Sequence, residues 1–190
     1  MEDINNELYH KKEFRDLELP KDNEPLIKDN PLKHQQIIAR FLSPYTKYDE
    51  ILLFHYPGTG KTCTSIRSIE HVLENDPNIN KAIIILPNKE LVSKFKKEII
   101  FVCSNGKYIT EPESSETVKM TPKEIRELTY KESRKNIKGI YRIYTVETFH
   151  NNILKKMGNA AIKKQFSNSF VVIDEVHNLV THEEQSRLYG

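Results

Sequence analysis

Residues 51–62 read Ile-Leu-Leu-Phe-His-Tyr-Pro-Gly-Thr-Gly-Lys-Thr. The first four residues are apolar and His55 ends the run, which is typical of a short strand covered on both faces in a parallel sheet. Gly58 and Gly60 favour a tight turn, because glycine adopts positive φ without strain. The apolar periodicity that follows predicts a helix over 62–74. The stretch therefore predicts a strand, a glycine-containing turn and a helix in succession.

The turn has the residue types of a phosphate-binding loop. Its N–H groups and those of the helix start would point into one concavity, which binds anions. Lys61 would reach the β- and γ-phosphates of a nucleotide, and the Thr62 hydroxyl would be a ligand of Mg²⁺. His55 departs from the usual pattern, since a glycine or another small residue is common there. We predict that the nucleotide contacts Pro57, Gly58, Thr59, Gly60, Lys61, Thr62 and Cys63.

A pair of acids ends another apolar segment. Residues 171–175 read Val-Val-Ile-Asp-Glu, and a core position would suit Asp174 and Glu175 poorly, because buried carboxylates need partners. The carboxyl edge of a parallel sheet, where ligands bind, suits them better. There Asp174 would hold Mg²⁺, directly or through water, and Glu175 would orient and deprotonate an attacking water. Two solvated acids at a strand end are the alternative, which a phosphate loop upstream disfavours.

Apolar and amphipathic segments alternate along the chain. Apolar runs predict strands over 51–55, 82–86, 140–145 and 169–173, with a short strand over 107–109. Helical periodicity predicts helices over 31–43, 62–74, 88–102, 121–135, 147–157 and 160–166. The helix over 121–135 starts with a capping box, Thr-Pro-Lys-Glu. This alternation indicates a three-layer α/β fold with a mostly parallel sheet.

The first 30 residues differ from the rest in charge and pattern. Residues 1–30 have no sustained periodicity, so we predict an N-terminal arm there and one domain over 31–190. The arm has nine acids and five bases, whereas the remaining chain has 24 bases and 18 acids. That positive excess permits a polyanionic partner without requiring one. One group of cations is either a contact to such a partner or a solvated helix face: Lys131, Arg134, Lys135 and Lys138.

The composition is that of a soluble globular protein. Of 190 residues, 29% are charged and 37% are hydrophobic, and no apolar run approaches the roughly 18–20 residues that span a bilayer. The N-terminus lacks the basic and apolar regions of a signal peptide. With only Cys63 and Cys103 present, we expect no disulfide framework, a reducing intracellular environment, and Cys63 as a small apolar filler. No cysteine accompanies His177 and His182, so a zinc site is not expected.

Five stretches resemble, in order, the motifs of superfamily-two helicases and translocases of the DExH type. Gly-Thr-Gly-Lys-Thr at 58–62 resembles motif I, and Asp-Glu-Val-His at 174–177 resembles motif II. Leu-Lys-His-Gln at 32–35 is similar to the family's motif upstream of the loop. Residues 83–88 resemble motif Ia, and residues 144–149 resemble the threonine-containing motif Ib. The resemblance covers roughly residues 31–180 and implies the first, RecA-like half of such a motor.

A narrower resemblance concerns the flanks of the phosphate loop. Residues 34–46 and 52–64 are similar to helicase-like ATPases of large DNA viruses, of the poxvirus early-transcription-factor, asfarvirus and giant-virus kinds. A histidine before the loop is familiar in that group. The resemblance implies a role in viral transcription or replication, in the virion or the host cytoplasm.

The resemblance also implies roles for individual residues. The expected cofactors are ATP and Mg²⁺, with Lys61 and Glu175 as catalytic residues. Gln35 would read adenine, and His177 would couple hydrolysis to movement of the strand. Contacts to the phosphates of DNA or RNA would come from Asn88, Lys89 and Thr145.

After His177 the sequence shows neither the family's Ser-Ala-Thr motif III nor a second RecA-like domain with its motifs V and VI. The resemblance therefore implies that a second RecA-like domain in cis, and transcription machinery as a further partner, complete the motor. This chain alone would hydrolyse ATP weakly or not at all. Two other functions remain open from the sequence: a phosphate-loop ATPase that moves protein, and a non-catalytic docking module.

Overall fold

The structure, a computed structural model, describes residues 10–11, 32–54, 58, 60–113 and 117–176. The helices are α1 (Lys33–Phe41), α2 (Lys61–Asn75), α3 (Lys89–Glu98), α4 (Pro122–Ile137), α5 (Val146–Phe149) and α6 (Asn159–Phe166). Two π-helical turns follow α3 and α5, at Ile99–Cys103 and His150–Leu154. The strands are β1 (Lys81–Leu86), β2 (Tyr141–Thr145) and β3 (Ser169–Ile173). None of the described helices is long and apolar enough to cross a bilayer.

The strands form one parallel sheet in the order β2-β1-β3. In the middle, Ile84 of β1 is in register with Ile143 of β2 and Val172 of β3. Parallel strands need crossover connections. Helices α3 and α4 lie between β1 and β2 in the chain, and α5 and α6 lie between β2 and β3, the two outer strands. The predicted α/β class with a parallel sheet is confirmed.

An apolar cluster joins the central strand to its helices. The residues of β1 from Ala82 to Leu86 are buried, as their wholly apolar sequence predicts. Ile66 and Ile69 of α2 and Phe95 of α3 are buried in the same cluster. Each such side chain contributes about 1.5–3 kcal/mol by its removal from water. This cluster holds the starts of α2 and α3 at fixed positions relative to the sheet.

The prediction of a strand over 51–55 is wrong for residues 51–54, the part of this range that the structure describes. Residues 51–54 form no strand, and Leu52 and Phe54 are 81% and 91% exposed. An apolar segment becomes a buried strand only where another strand pairs with it and other elements cover it. Among the described residues, β1 pairs with β2 and β3, and none pairs with 51–54. His55 lies outside the described residues.

Several other boundaries also differ from the sequence predictions. Residues 107–109 form a turn rather than a strand, closed by a hydrogen bond from the Ile109 N–H to the Gly106 carbonyl. The helices predicted over 88–102 and 147–157 each change to a π-helical turn before their end. The first helix is shorter than 31–43, since it runs from Lys33 to Phe41. The capping box of α4 is confirmed, because Thr121 and Glu124 exchange hydrogen bonds.

The two cysteines form a disulfide, so the expectation of no disulfide, with Cys63 as a small apolar filler, is wrong. Cys63 lies in the first turn of α2 and Cys103 ends the first π-helical turn, with their Cα atoms 5.1 Å apart. The sequence could not show this, because the packing of α2 against the π-helical turn is a tertiary contact. The N-terminal arm predicted over 1–30 lies outside the described residues, except for residues 10–11, and it stays a prediction.

A buried carboxylate ties α2 to the sheet. Glu70, 9% exposed, accepts hydrogen bonds from the hydroxyl groups of Tyr108, at 2.8 Å, and Tyr141. Lys107 donates to the other carboxylate oxygen at 2.7 Å and also to Glu74. These partners satisfy Glu70, which would otherwise destabilise the core.

We predict that the free energy of unfolding falls above about pH 10, where tyrosine and lysine titrate in the unfolded chain. Burial and the hydrogen bond to Glu70 raise the pKa of Tyr108 above its usual value. Burial opposes the shift for Lys107, but the hydrogen bonds to Glu70 and Glu74 raise its pKa. Both groups therefore stabilise the fold fully below about pH 10, and this stabilisation is lost as the pH rises further. Urea unfolding between pH 8 and 11 measures the effect, and Y108F is expected to show a shallower decline.

Candidate functional site

Two glycines shape the entry to α2. Gly58 and Gly60 have φ of 85° and 81°, in the left-handed region that favours glycine. Gly60 is the N-cap of α2, and no side chain of the described residues caps the helix. The first N–H groups of an α-helix have no partner within the helix, so those of Lys61, Thr62 and Cys63 are available to an anion. The predicted turn before the helix is thus present at its described positions.

Gln35 lies directly against this turn. A Cβ atom at position 60 would lie 3.1 Å from Nε2 of Gln35, so only glycine fits there without displacing the amide. Gln35 is 4% exposed, and its Oε1 accepts a hydrogen bond from the N–H of Leu32 at 3.2 Å. The structure therefore brings the residue predicted to read adenine next to the phosphate loop.

Lys61 contacts both acids of the distant pair. Its Nζ lies 2.8 Å from Oδ1 of Asp174 and 3.4 Å from Oε1 of Glu175. The hydrogen bond to Asp174 raises the pKa of Lys61 above its usual value, while partial burial opposes the shift and the charges of both acids add to it. The three side chains are partly exposed, so a ligand can reach them from solvent.

The backbone holds the two acids at the end of β3. The Asp174 N–H donates to the carbonyl of Ile85 at 3.0 Å, which continues the β1–β3 ladder by one residue. Glu175 has φ of 53°, an uncommon value for a residue other than glycine, so the chain turns sharply there. The strand thus ends with both carboxylates next to the start of α2.

The residues predicted to contact nucleic acid lie at the same edge of the sheet. Leu86 and Thr145 are in register as the last residues of β1 and β2. Asn88 then caps α3 by accepting a hydrogen bond from the Leu91 N–H at 2.9 Å, and Lys89 is exposed in the first turn of that helix.

Thr145 is buried, and its hydroxyl has local partners. It is 7% exposed, and its Oγ1 accepts from the Thr148 N–H at 3.1 Å and donates to the Thr148 hydroxyl at 2.8 Å. Thr148 was not among the predicted site residues, although a threonine such as Thr145 is a recognisable N-cap residue. A contact between Thr145 and a phosphate stays a prediction.

Some predicted site residues lie outside the described part of the chain: Pro57, Thr59 and His177. Their predicted roles stay predictions. Cys63 is in place at the start of α2, but its sulfur is bonded to Cys103, so only its backbone can contact a nucleotide. Thr62 is partly exposed next to Lys61.

Comparison with known proteins places these features in a family. The family described as "Type III restriction enzyme, res subunit" (ResIII) matches residues 28–188. The chain belongs to this family. The match covers both the phosphate loop and the acid pair, and it agrees with the RecA-like α/β fold expected from the sequence. No solved structure matches the chain.

Several viral proteins are similar to this ResIII chain. "Putative helicase 087L" of Invertebrate iridescent virus 3 is 33% identical over 190 residues, covering 94% of this chain and 18% of that protein. "Putative helicase 009L" of Frog virus 3 is 34% identical over 161 residues, covering 80% and 15%. "Putative ATP-dependent RNA helicase R563" of Acanthamoeba polyphaga mimivirus is 32% identical over 149 residues, covering 77% and 24%. The chain thus spans less than a quarter of the length of each of these relatives.

The site fits a nucleoside triphosphate with Mg²⁺. The glycines at positive φ and the start of α2, which no side chain of the described residues caps, leave backbone N–H groups that can donate hydrogen bonds to phosphate oxygens. The Asp174 carboxylate and the Thr62 hydroxyl are oxygen donors of the kind that Mg²⁺ prefers. A bound Mg²⁺ would neutralise charge on the phosphates during their transfer. Lys61, already between two carboxylates, adds the positive charge that a triphosphate needs.

Proposed function

We propose that this chain is the nucleotide-binding part of an ATP-dependent ResIII helicase or translocase, which couples ATP hydrolysis to movement along DNA or RNA. One observation carries the proposal: Nζ of Lys61, at the start of α2, lies 2.8 Å from Oδ1 of Asp174, at the end of β3. A glycine turn by itself, or a pair of acids by itself, also occurs in proteins that bind no nucleotide. Their direct contact, across a large separation in sequence, is what a site for a nucleotide and its metal requires.

The charges of the site suggest which role each side chain would have in ATP binding and hydrolysis. Without a ligand, the positive charge of Lys61 is balanced by Asp174 and Glu175. The phosphates of ATP would compete with both carboxylates for Lys61, which leaves Asp174 with Thr62 to hold Mg²⁺. Glu175 would then be able to orient a water molecule and accept its proton. Gln35, beside Gly60, would bind the adenine.

Efficient hydrolysis is proposed to need a second RecA-like domain in cis. In other nucleotidases an arginine that stabilises the transferred phosphate contributes about 10³–10⁵-fold in rate. The similar viral proteins are much longer than this chain, which is consistent with further domains in the complete motor. We further propose a role in viral transcription or replication, in the virion or the host cytoplasm.

The test is ATP hydrolysis by a protein that joins this chain to a second RecA-like domain, with and without single-stranded DNA or RNA. The proposal predicts that at least one of the two polymers increases the rate of hydrolysis. Hydrolysis that neither polymer changes would contradict it and favour an ATPase that moves protein. Absence of hydrolysis, with a K61A variant as active as the unaltered protein in every other assay, would favour a docking module.

We predict that D174N removes the Mg²⁺ dependence of ATP binding. The substitution removes the charged oxygen proposed to hold the metal and also the closest partner of Lys61. Affinity measured with Mg²⁺ should therefore fall to the value measured with EDTA, while affinity in EDTA stays the same or increases. Titration of a fluorescent ATP analogue measures both values, with E111Q, at an exposed acid of the 104–113 segment, as the matched control. A D174N variant that keeps its response to Mg²⁺ would contradict the assignment.

A further inference from the structure

Helices α3 and α4 place cations side by side around two aromatic rings. Lys97 of α3 and Arg134 of α4 both lie over the ring of Tyr130, at 5.6 and 5.8 Å from its centroid. Arg126 of α4 lies 5.1 Å from the centroid of Phe101. Lys96 and Lys138 complete the group, which we call the α3–α4 basic surface: Lys96, Lys97, Arg126, Arg134 and Lys138.

The positive charge of this surface is not balanced by neighbouring acids. Burial and the like charges of Arg134 and Lys138 lower the pKa of Lys96 below its usual value, so each of these two cations repels Lys96. Within the described part of the chain, no carboxylate forms an ion pair with any of the five cations. Such a surface attracts a polyanion, since each added negative group relieves the repulsion.

The acids of α4 do not cancel this charge. Glu132 binds Lys135, and Glu124 accepts the hydrogen bonds of Thr121 at the start of the helix. Glu127 is exposed, and among the described residues it has no ion pair with the basic surface. The sequence left open whether this helix has a contact surface or a solvated face. In the structure the cations of this helix differ from one another. Lys135 pairs with Glu132, as expected on a solvated face, whereas Arg134 and Lys138 lie with the lysines of α3 in the basic surface.

The basic surface lies at the opposite edge of the sheet from the nucleotide site. Helix α3 starts beside the carboxyl end of β1 and is ten residues long, so its last turn lies about 15 Å back toward the amino edge. The last turn of α4 leads directly into the amino end of β2. Lys61 and Asp174, by contrast, lie at the carboxyl edge.

We propose that the α3–α4 basic surface binds the phosphodiester backbone of a nucleic acid strand, as a second contact apart from the carboxyl edge. Clustered lysine and arginine side chains hold phosphates without reading sequence, and the release of counterions from the strand favours binding. The choice of nucleic acid over another polyanion rests on the proposed function. The surface itself is defined by the charges and distances above.

The test is the affinity of the chain for a fluorescent single-stranded oligonucleotide, measured by anisotropy at several salt concentrations without ATP. The variant K96Q/R134Q/K138Q removes three cations of the surface. A control of equal charge, K123Q/K131Q/K135Q, removes three exposed lysines of α4 outside it. We expect the first variant to bind at least about tenfold more weakly, with the slope of log K against log salt reduced by about 2, since each phosphate contact contributes about 0.7. The control should stay within about threefold of the unaltered chain on the same measurement.

The outcomes separate this inference from the proposed function. Equal oligonucleotide affinity of the two triple variants would overturn the inference. In that case, a loss of oligonucleotide affinity in K89Q would still support binding of nucleic acid at the carboxyl edge. If the unaltered chain binds no oligonucleotide at any salt concentration, the inference is overturned, while ATP binding still tests the nucleotide site. Displacement of the oligonucleotide by poly-glutamate at equal charge would also overturn it, in favour of an acidic protein partner. Thermal unfolding checks that each variant is folded. If the triple variant is unfolded, the oligonucleotide affinity of K96Q alone is measured instead.

Discussion

Reduction of the Cys63–Cys103 disulfide is expected to lower the free energy of unfolding by about 4 kcal/mol, as the chain-entropy estimate gives for a loop of this size. The bond joins residues 40 apart in sequence, and the loop between them contains most of α2 and all of β1 and α3. Without the bond, the unfolded chain gains conformational freedom, which shifts the equilibrium toward unfolding. For a chain of this length, the corresponding fall in Tm is about 8–16 °C.

Urea unfolding with and without a phosphine reductant measures this effect. The matched control is C63S/C103S, which should have the stability of the reduced chain and should not respond to the reductant. An unaltered chain with the same unfolding midpoint in both conditions would show that the bond does not stabilise the fold. Because Cys63 is two residues from Lys61, ATP affinity measured in parallel would report whether the bond also supports the phosphate loop.

The substitution E175Q is expected to lower the rate of ATP hydrolysis by about 10²–10⁴-fold, the usual contribution of a general base. Glutamine keeps the shape of the side chain but cannot accept the proton of the attacking water. ATP affinity should change little, because Glu175 is proposed to act on the attacking water rather than to hold the phosphates or Mg²⁺. The rate is measured in a protein that supplies the second RecA-like domain, and the affinity is measured in this chain.

A control for E175Q is E147Q, since Glu147 is an exposed acid in α5 near the same edge of the sheet. It should leave the rate of hydrolysis within about threefold of the unaltered protein, as surface substitutions usually do. An E175Q protein that also stays within threefold would contradict the role of Glu175 as the base. The neighbouring Asp174 would then be the next residue to test.

The parts of the site that depend on local sequence could be predicted. Glycines at positive φ, a lysine at a helix start and acids after an apolar strand follow from residue type and order, and the structure has them where they were expected. The same is true of the α4 capping box and of β3. Apart from β3, which also pairs with the distant β1, the deciding interactions lie within a few residues of one another.

The parts that depend on distant contacts could not be predicted. Residues 51–54 are apolar enough for a strand but have no pairing strand among the described residues. The disulfide required the packing of α2 against a π-helical turn, which no local pattern indicates. The basic surface likewise depends on two helices that meet only in the fold.

The most direct test of the nucleotide site is calorimetric titration of ATP with Mg²⁺ into this chain and into K61A. The account predicts binding by the unaltered chain and a loss of about 10–150-fold in K61A, since a hydrogen bond to a charged group contributes about 1.5–3 kcal/mol. The control K119A, at an exposed lysine, should bind like the unaltered chain. Equal affinity of K61A and the unaltered chain, or no binding at millimolar ATP, would contradict the assignment of this loop as a nucleotide site.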